Sequence, residues 1–206
     1  MSRRTGLTRV LSPSSLRRVR ATATERRAQV LEAAAKLFAE RGFHGVSLDD
    51  IGRSVGISGP ALYRHFASKD EILGAVLVSI SDRLLDGALA IGERLPDPTA
   101  QLRALIDGHV DFAVSQPELI VVHSREFADL RGDDRRKVRR LQRTYVDVWA
   151  AQLMRRDSRL SIPQASAMAI AAFGLMNTTP FSVSRLDSQE VRRLLTQLAR
   201  SVLGVS

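Results

Sequence analysis

SLDDIGRSVGISGPALYRHF, residues 47–66, divides into two short apolar-periodic stretches about a glycine. Leu48, Ile51 and Val55 recur at three- and four-residue steps, which predicts a short helix over Leu48–Val55 with one buried face. Gly56 follows, the residue best able to take the positive φ of a sharp inter-helix turn. Ile57 is apolar in mid-turn and is expected to plug into the core below. Ser58 can cap a second helix, and Pro60 is tolerated in its first turn because no backbone donor is needed there. Leu62 and Phe66, four apart, face inward, leaving Gly59, Ala61, Tyr63, Arg64 and His65 outward. Two short helices joined through a glycine turn form a helix-turn-helix, whose second helix fits the major groove of duplex DNA. Small Gly59 and Ala61 allow close approach, Tyr63 and His65 can donate to phosphate, and Arg64 can reach a base edge or a phosphate. The competing reading, a helical hairpin with a solvated face, leaves an exposed Tyr and His beside a buried Leu and Phe without a reason.

Outward from this stretch the punctuation stays helical. A first helix is expected from about Ala23 to Arg41, with Val30, Leu31, Ala34, Leu37 and Phe38 on one stripe and Gly42 ending it. A long helix should start near Lys69 and reach Arg94, stopped by Pro96 and Pro98. Further apolar stripes place helices around 102–116, 118–130, 138–153, 163–180 and 188–203. Five side chains able to cap a helix precede an acid or glutamine by three residues: Thr22/Glu25, Ser47/Asp50, Ser68/Glu71, Ser161/Gln164 and Asp187/Glu190. Nothing alternates with period two over a useful length, so the expected fold is all-α. Three units are expected: a flexible basic arm over 1–21, the helix-turn-helix domain over 22–68, and a helical domain for ligand binding and dimerisation over 69–206.

The 206 residues carry a net charge of +9, concentrated at one end. Residues 1–27 hold eight arginines against Glu25 alone, whereas residues 28–206 hold 23 basic and 21 acidic groups. The arm can enter a minor groove or simply raise general affinity for DNA by releasing counterions. There is no cysteine, so disulfides, thiolate metal sites and cysteine nucleophiles are excluded. No apolar run is long enough for a membrane span and no secretion signal opens the chain, so a cytoplasmic protein is expected. Phosphate loops, dinucleotide fingerprints and nucleophile elbows are missing, and His44, His65, His109 and His123 lack metal-ligand spacing. Neither an enzyme, a cofactor nor a metal is expected. An architectural DNA binder without an effector is the remaining alternative.

The stretch around QVLEAAAKLFAERGFHGVSLDDIGRSVGISGPALYRHFASKDEIL strongly resembles the DNA-binding domain of the tetracycline-repressor (TetR) family, including the LYRHF core, Gly42, Phe43 and Lys69. The resemblance implies a homodimer that binds double-stranded DNA at an inverted repeat and answers to a small-molecule effector. It also implies that Ser47, Tyr63, His65 and Lys69 contact phosphates, and that Ser58, Gly59, Ala61, Leu62 and Arg64 lie at or near base edges. Gly52 departs from the alanine usual there and should soften the first helix of the motif slightly.

Beyond residue 69 the sequence is less specific. The helix at 163–180 is rich in small residues and the helix at 188–203 presents Val191, Leu194, Leu195, Leu198 and Val202; in the family such helices pair across a two-fold axis. For an effector pocket, His109 lies among Leu105, Ile106, Phe112 and Ala113, and His123 among Ile120 and Phe127. Tyr145 and Trp149 form an aromatic wall, and Asn177 interrupts an apolar helix. Each of these groups also reads as an ordinary core residue; together they outline an apolar cavity with few polar anchors. The stretch 123–153 resembles family members tied to lipid and acyl-CoA metabolism, which implies a fatty acyl or acyl-CoA effector with Arg125 or Arg143 on its phosphates.

Overall fold

The computed structural model describes the backbone of residues 13–182 and 186–205, and the side chains of 24–181 and 186–205. Among these residues there are ten helices and no strand. They are α1 (Pro13–Arg41), α2 (Leu48–Ser54), α3 (Gly59–Tyr63), α4 (Lys69–Arg94), α5 (Pro98–Ser115), α6 (Pro117–Glu126), α7 (Gly132–Arg156), α8 (Ile162–Met176), α9 (Thr179–Ser182) and α10 (Ser188–Val202).

The caps explain most boundaries. Ser47, Ser161 and Asp187 each close a full capping box with the side chain three residues on. Ser68 accepts from the Glu71 amide at 3.1 Å, but the Glu71 carboxylate reaches past it to the Ala67 amide at 2.7 Å. Asp97, which precedes Pro98 and was not expected as a cap, accepts from the Ala100 amide at 2.7 Å. Gly42 ends α1 with φ +73° and Gly56 turns α2 into α3 with φ +68°, as their positions require.

Two expectations at the chain start need correcting. Helix α1 begins at Pro13, so residues 13–21 are helical rather than a flexible arm, and Thr22 lies inside α1 instead of capping it. The physical reason is that neither glycine nor further proline interrupts 14–41, and the Arg/Ala-rich run has good helix propensity without needing an apolar stripe. The arm residues 1–12, including Arg3, Arg4 and Arg9, lie outside the described residues, as do the side chains of Arg17, Arg18 and Arg20.

Two apolar clusters organise the molecule. The first joins Val30, Ala34 and Phe38 of α1 to Ile51, Leu62 and Phe66 of the helix-turn-helix, and continues through Ile72, Leu73, Val76, Leu77 and Ile80 of α4. It extends to Leu119 and Val122 of α6, to Leu130 just before α7 and to Val138 within it. Packing therefore does not break at Ser68: the first half of α4 belongs to the core beneath the helix-turn-helix. The second cluster is built on Leu102, Ile106, Trp149, Leu153, Ala169, Met176, Leu195 and Ala199, from α5, α7, α8 and α10. Helix α7 runs alongside α4 in the same sense. Near its start, the Asp134 carboxylate packs so closely on Gly74 that a Cβ there would overlap it. At its end, Arg155 donates to the Pro96 carbonyl at 3.0 Å.

Candidate nucleic-acid interface and effector pocket

Helix α3 rests on two apolar anchors. Leu62 is wholly buried and Phe66 nearly so, four residues apart on one face. Opposite them, Tyr63 is 57 % exposed, the largest such aromatic surface of the helix-turn-helix. Arg64 is exposed and His65 half-buried. The Tyr63 hydroxyl, the Arg64 guanidinium and the His65 ring make no hydrogen bond or ion pair with the described residues. Gly59 and Ala61 lie half-buried beside them, and Ser58 stands before the helix without a capping hydrogen bond, so its hydroxyl is unspent. Regular helix ends at Tyr63, and the chain tightens into a final turn in which the amides of His65 and Phe66 donate to the Leu62 carbonyl at 2.9 and 3.1 Å. The result is a short convex probe with donors facing outward and a greased back.

Three expected contacts change on inspection. Leu62 faces the core and has no surface to offer a base edge. The Ser47 hydroxyl accepts from the Asp50 amide at 3.1 Å as the cap of α2, so its first duty is internal. The Lys69 ammonium donates to the carbonyls of Phe43 and Val46 at 2.7 and 2.8 Å and stands 4.4 Å from the centre of the Phe43 ring. Two of its three donors are thus spent on tying α4 to the turn after α1. Gly52 also has more use than softening: a Cβ there would lie 2.9 Å from the Ile57 carbonyl oxygen, so the glycine lets the turn draw in close under α2.

In the second cluster the structure brings together four of the seven expected pocket residues. His109 is 4 % exposed; its Nδ1 meets the Tyr145 hydroxyl at 3.0 Å and its Nε2 meets the Asn177 side-chain oxygen at 3.1 Å. Phe173, absent from the expected set, stacks on His109 and Tyr145 at 5.0 and 5.2 Å and meets Trp149 edge-on at 4.9 Å. Its signal was available, since Phe173 and Asn177 share a face four residues apart on the same helical run. Burial lowers His109 to about 4, with the Asn177 bond opposing, so the ring is neutral at pH 7. Burial likewise raises the Tyr145 phenol. The Trp149 indole N–H is buried and has no partner at hydrogen-bonding geometry, although it lies near enough to Tyr145 to temper that rise.

The other three sit apart. His123 stacks on Phe127 at 5.4 Å, bonds the Gln142 side-chain amide, and is held below its ordinary value by burial. Arg125 reaches toward the Ala39 carbonyl of α1 at 3.5 Å. Arg143 is exposed on α7. Nothing in the geometry gathers these three with His109.

Also missed from sequence was Glu126, 6 % exposed, whose carboxylate accepts from the Phe43 amide at 3.1 Å. A buried acid four residues from the end of an amphipathic segment carries no distinctive pattern, so only the fold reveals that it joins α6 to the end of α1.

A short helix pair with an unspent polar face, seated on a core shared with a long connecting helix, defines a helix-turn-helix nucleic-acid-binding protein. Comparison with known proteins agrees. The family model described as "Bacterial regulatory proteins, tetR family" matches residues 30–76, and "Tetracyclin repressor-like, C-terminal domain" matches residues 96–181. The transcriptional repressor KstR2 of Mycobacterium tuberculosis is 30 % identical over 138 residues, 64 % of this chain and 68 % of that protein. The transcriptional activator FasR of Mycolicibacterium smegmatis is 40 % identical over 88 residues, 43 % of this chain but only 40 % of its own length. Among solved structures, KstR2, titled a ketosteroid transcriptional regulator, superposes with a TM-score of 0.73 at 22 % identity, covering 87 % of this chain and 93 % of that one. FadR of Bacillus subtilis, solved in complex with stearoyl-CoA, gives 0.69 at 16 % identity over 87 % and 98 %. The chain belongs to the TetR family of transcriptional regulators. It is a DNA-binding regulator and not an enzyme.

Proposed function

We propose that the protein is a cytoplasmic homodimeric repressor that binds an inverted-repeat operator and leaves it when an acyl-CoA thioester occupies the second cluster. The observation that carries this reading is the unspent face of α3. Tyr63 and His65 serve as phosphate donors, joined by Ser47 and the remaining donor of Lys69, and Arg64 reads a base edge, flanked by Ser58, Gly59 and Ala61. Repression is preferred to activation because the match to KstR2 covers about two thirds of each chain, whereas that to FasR covers less than half of either.

Two copies are supported by the faces of α8 and α10. Ile162 and Ile170 of α8 and Leu194, Leu198 and Val202 of α10 are exposed apolar side chains, while the adjoining stripe, Val191, Leu195 and Ala199, is buried within the chain. One helix thus carries an intrachain face and a second apolar face that needs a partner. No helix among the described residues is long and apolar enough to cross a membrane.

The effector reading rests on the His109 cluster. The group that meets it is neutral: His109 is uncharged at pH 7, and neither Arg125 nor Arg143 reaches it. A thioester or other carbonyl suits the His109, Tyr145 and Trp149 donors better than a free carboxylate, whose burial without a cation is costly. In the present conformation the rings are in mutual contact, so the effector must part them, and its preference for the parted state is what shifts the equilibrium. FadR with stearoyl-CoA supports this ligand class.

A thermal-shift panel of acyl-CoAs of increasing chain length, with the matching free acids, tests the reading. An acyl-CoA that raises the Tm and releases bound DNA is expected. Equal shifts with the free acids, or stabilisation without release, would contradict it.

A further inference from the structure

We propose that Arg27 is a positioning residue that sets the roll of α3 and thereby its sequence discrimination, without itself touching DNA. The inference rests on the DNA-reading function given above. A five-residue helix held by Leu62 and Phe66 alone is fixed along one line and remains free to roll about it. A third attachment off that line is needed, and α1 supplies it. The Arg27 Nη1 donates to the His65 carbonyl at 2.9 Å, while its guanidinium lies 4.0 Å over the centre of the Phe66 ring. Its Nη2 stands 3.8 Å from the Glu71 carboxylate, and that carboxylate accepts from the Ala67 amide at 2.7 Å. One side chain therefore ties α1 to the residue that follows Arg64, to the anchor beneath it and to the first turn of α4.

The chemistry requires arginine. A planar guanidinium can lie flat on a ring and still donate in its own plane to a carbonyl and a carboxylate, whereas a lysine ammonium is a single point of charge. A cation at the end of α3 also suits the unpaired carbonyls there. By sequence Arg27 counts with the basic N-terminal segment; in the fold it faces away from that role and into the junction of three helices.

The test uses the full-length protein, with the duplex recovered by in vitro selection on the wild type and a random duplex of equal length. Binding of both is measured across a salt series for Arg27→Lys and Glu71→Gln, alongside thermal unfolding. Arg27→Lys should lose roughly tenfold or more on the selected duplex and stay within about twofold on the random one, with an unchanged salt slope because no phosphate contact is removed. Glu71→Gln should show a weaker version of the same pattern. Equal loss on both duplexes with a slope lowered by about 0.9 would make Arg27 a direct phosphate ligand and overturn the proposal. Equal loss that tracks the fall in Tm would reduce it to a stability residue, and unchanged discrimination would refute it outright. A wild type that binds both duplexes alike sinks the DNA-reading function itself, and this inference with it.

Discussion

Tyr63 and Arg64 stand side by side at the end of α3 yet should fail differently. On the proposed reading Tyr63→Phe removes a phosphate donor and should weaken all duplexes alike. Arg64→Ala should cost about 1–3 kcal/mol on the selected site and relax preference at one position of each half-site; competition binding with single-base variants measures both. The family resemblance implied Leu62 near base edges, but it lies wholly buried, as its four-residue spacing from the buried Phe66 indicates. Leu62→Ala should therefore unfold the domain, losing roughly 2–5 kcal/mol in urea titration, rather than alter specificity. His109 gives a pH signature. Its folded value lies near 4, below the ordinary 6.5, so between these limits the unfolded chain binds the extra proton and stability falls as the pH drops. Its share is complete above about pH 6.5 and lost toward pH 4, amounting to about 3 kcal/mol. Urea midpoints measured at steps across that range should show this slope, flattened in His109→Gln.

Helices were legible where apolar spacing and caps coincided, as at Ser47, Ser161 and Asp187. The start of α1 was not, since an Arg/Ala helix without an apolar stripe looks like a charged tail. The aromatic cluster was half legible: His109, Tyr145, Trp149 and Asn177 stood out as polar or aromatic interruptions, whereas Phe173 blended into an apolar helix. Arg27 and Glu126 were illegible because their partners are distant in sequence and brought close only by tertiary packing. Two glycines of α4 separate local propensity from packing. Gly87 has open space around it, and Gly87→Ala should raise stability by roughly 0.5–1 kcal/mol. Gly74 admits the Asp134 side chain of α7, so in Gly74→Ala that carboxylate must swing aside and the gain expected at Gly87 should be lost. Paired thermal melts distinguish the two.

At the scale of the whole molecule, Phe112 meets the His109 ring edge-on at 6.1 Å and packs against the core beneath α3, so movement at the His109 cluster has a packed route to the reading helix. Two-fold pairing through α8 and α10 would make that route double. Leu198→Glu places a charge on the exposed stripe of α10 and should yield monomers by sedimentation. Loss of the second, tethered half-site should then weaken operator binding by roughly a hundredfold or more. The central claim, that the outward face of α3 reads duplex DNA in two copies, is tested most directly by sequencing the duplexes that the wild type and Arg64→Ala select from a random pool. An inverted repeat for the wild type, with one position in each half losing its preference in Arg64→Ala, is the expected result. A pool without symmetry, or the same motif recovered unchanged by both proteins, would contradict it.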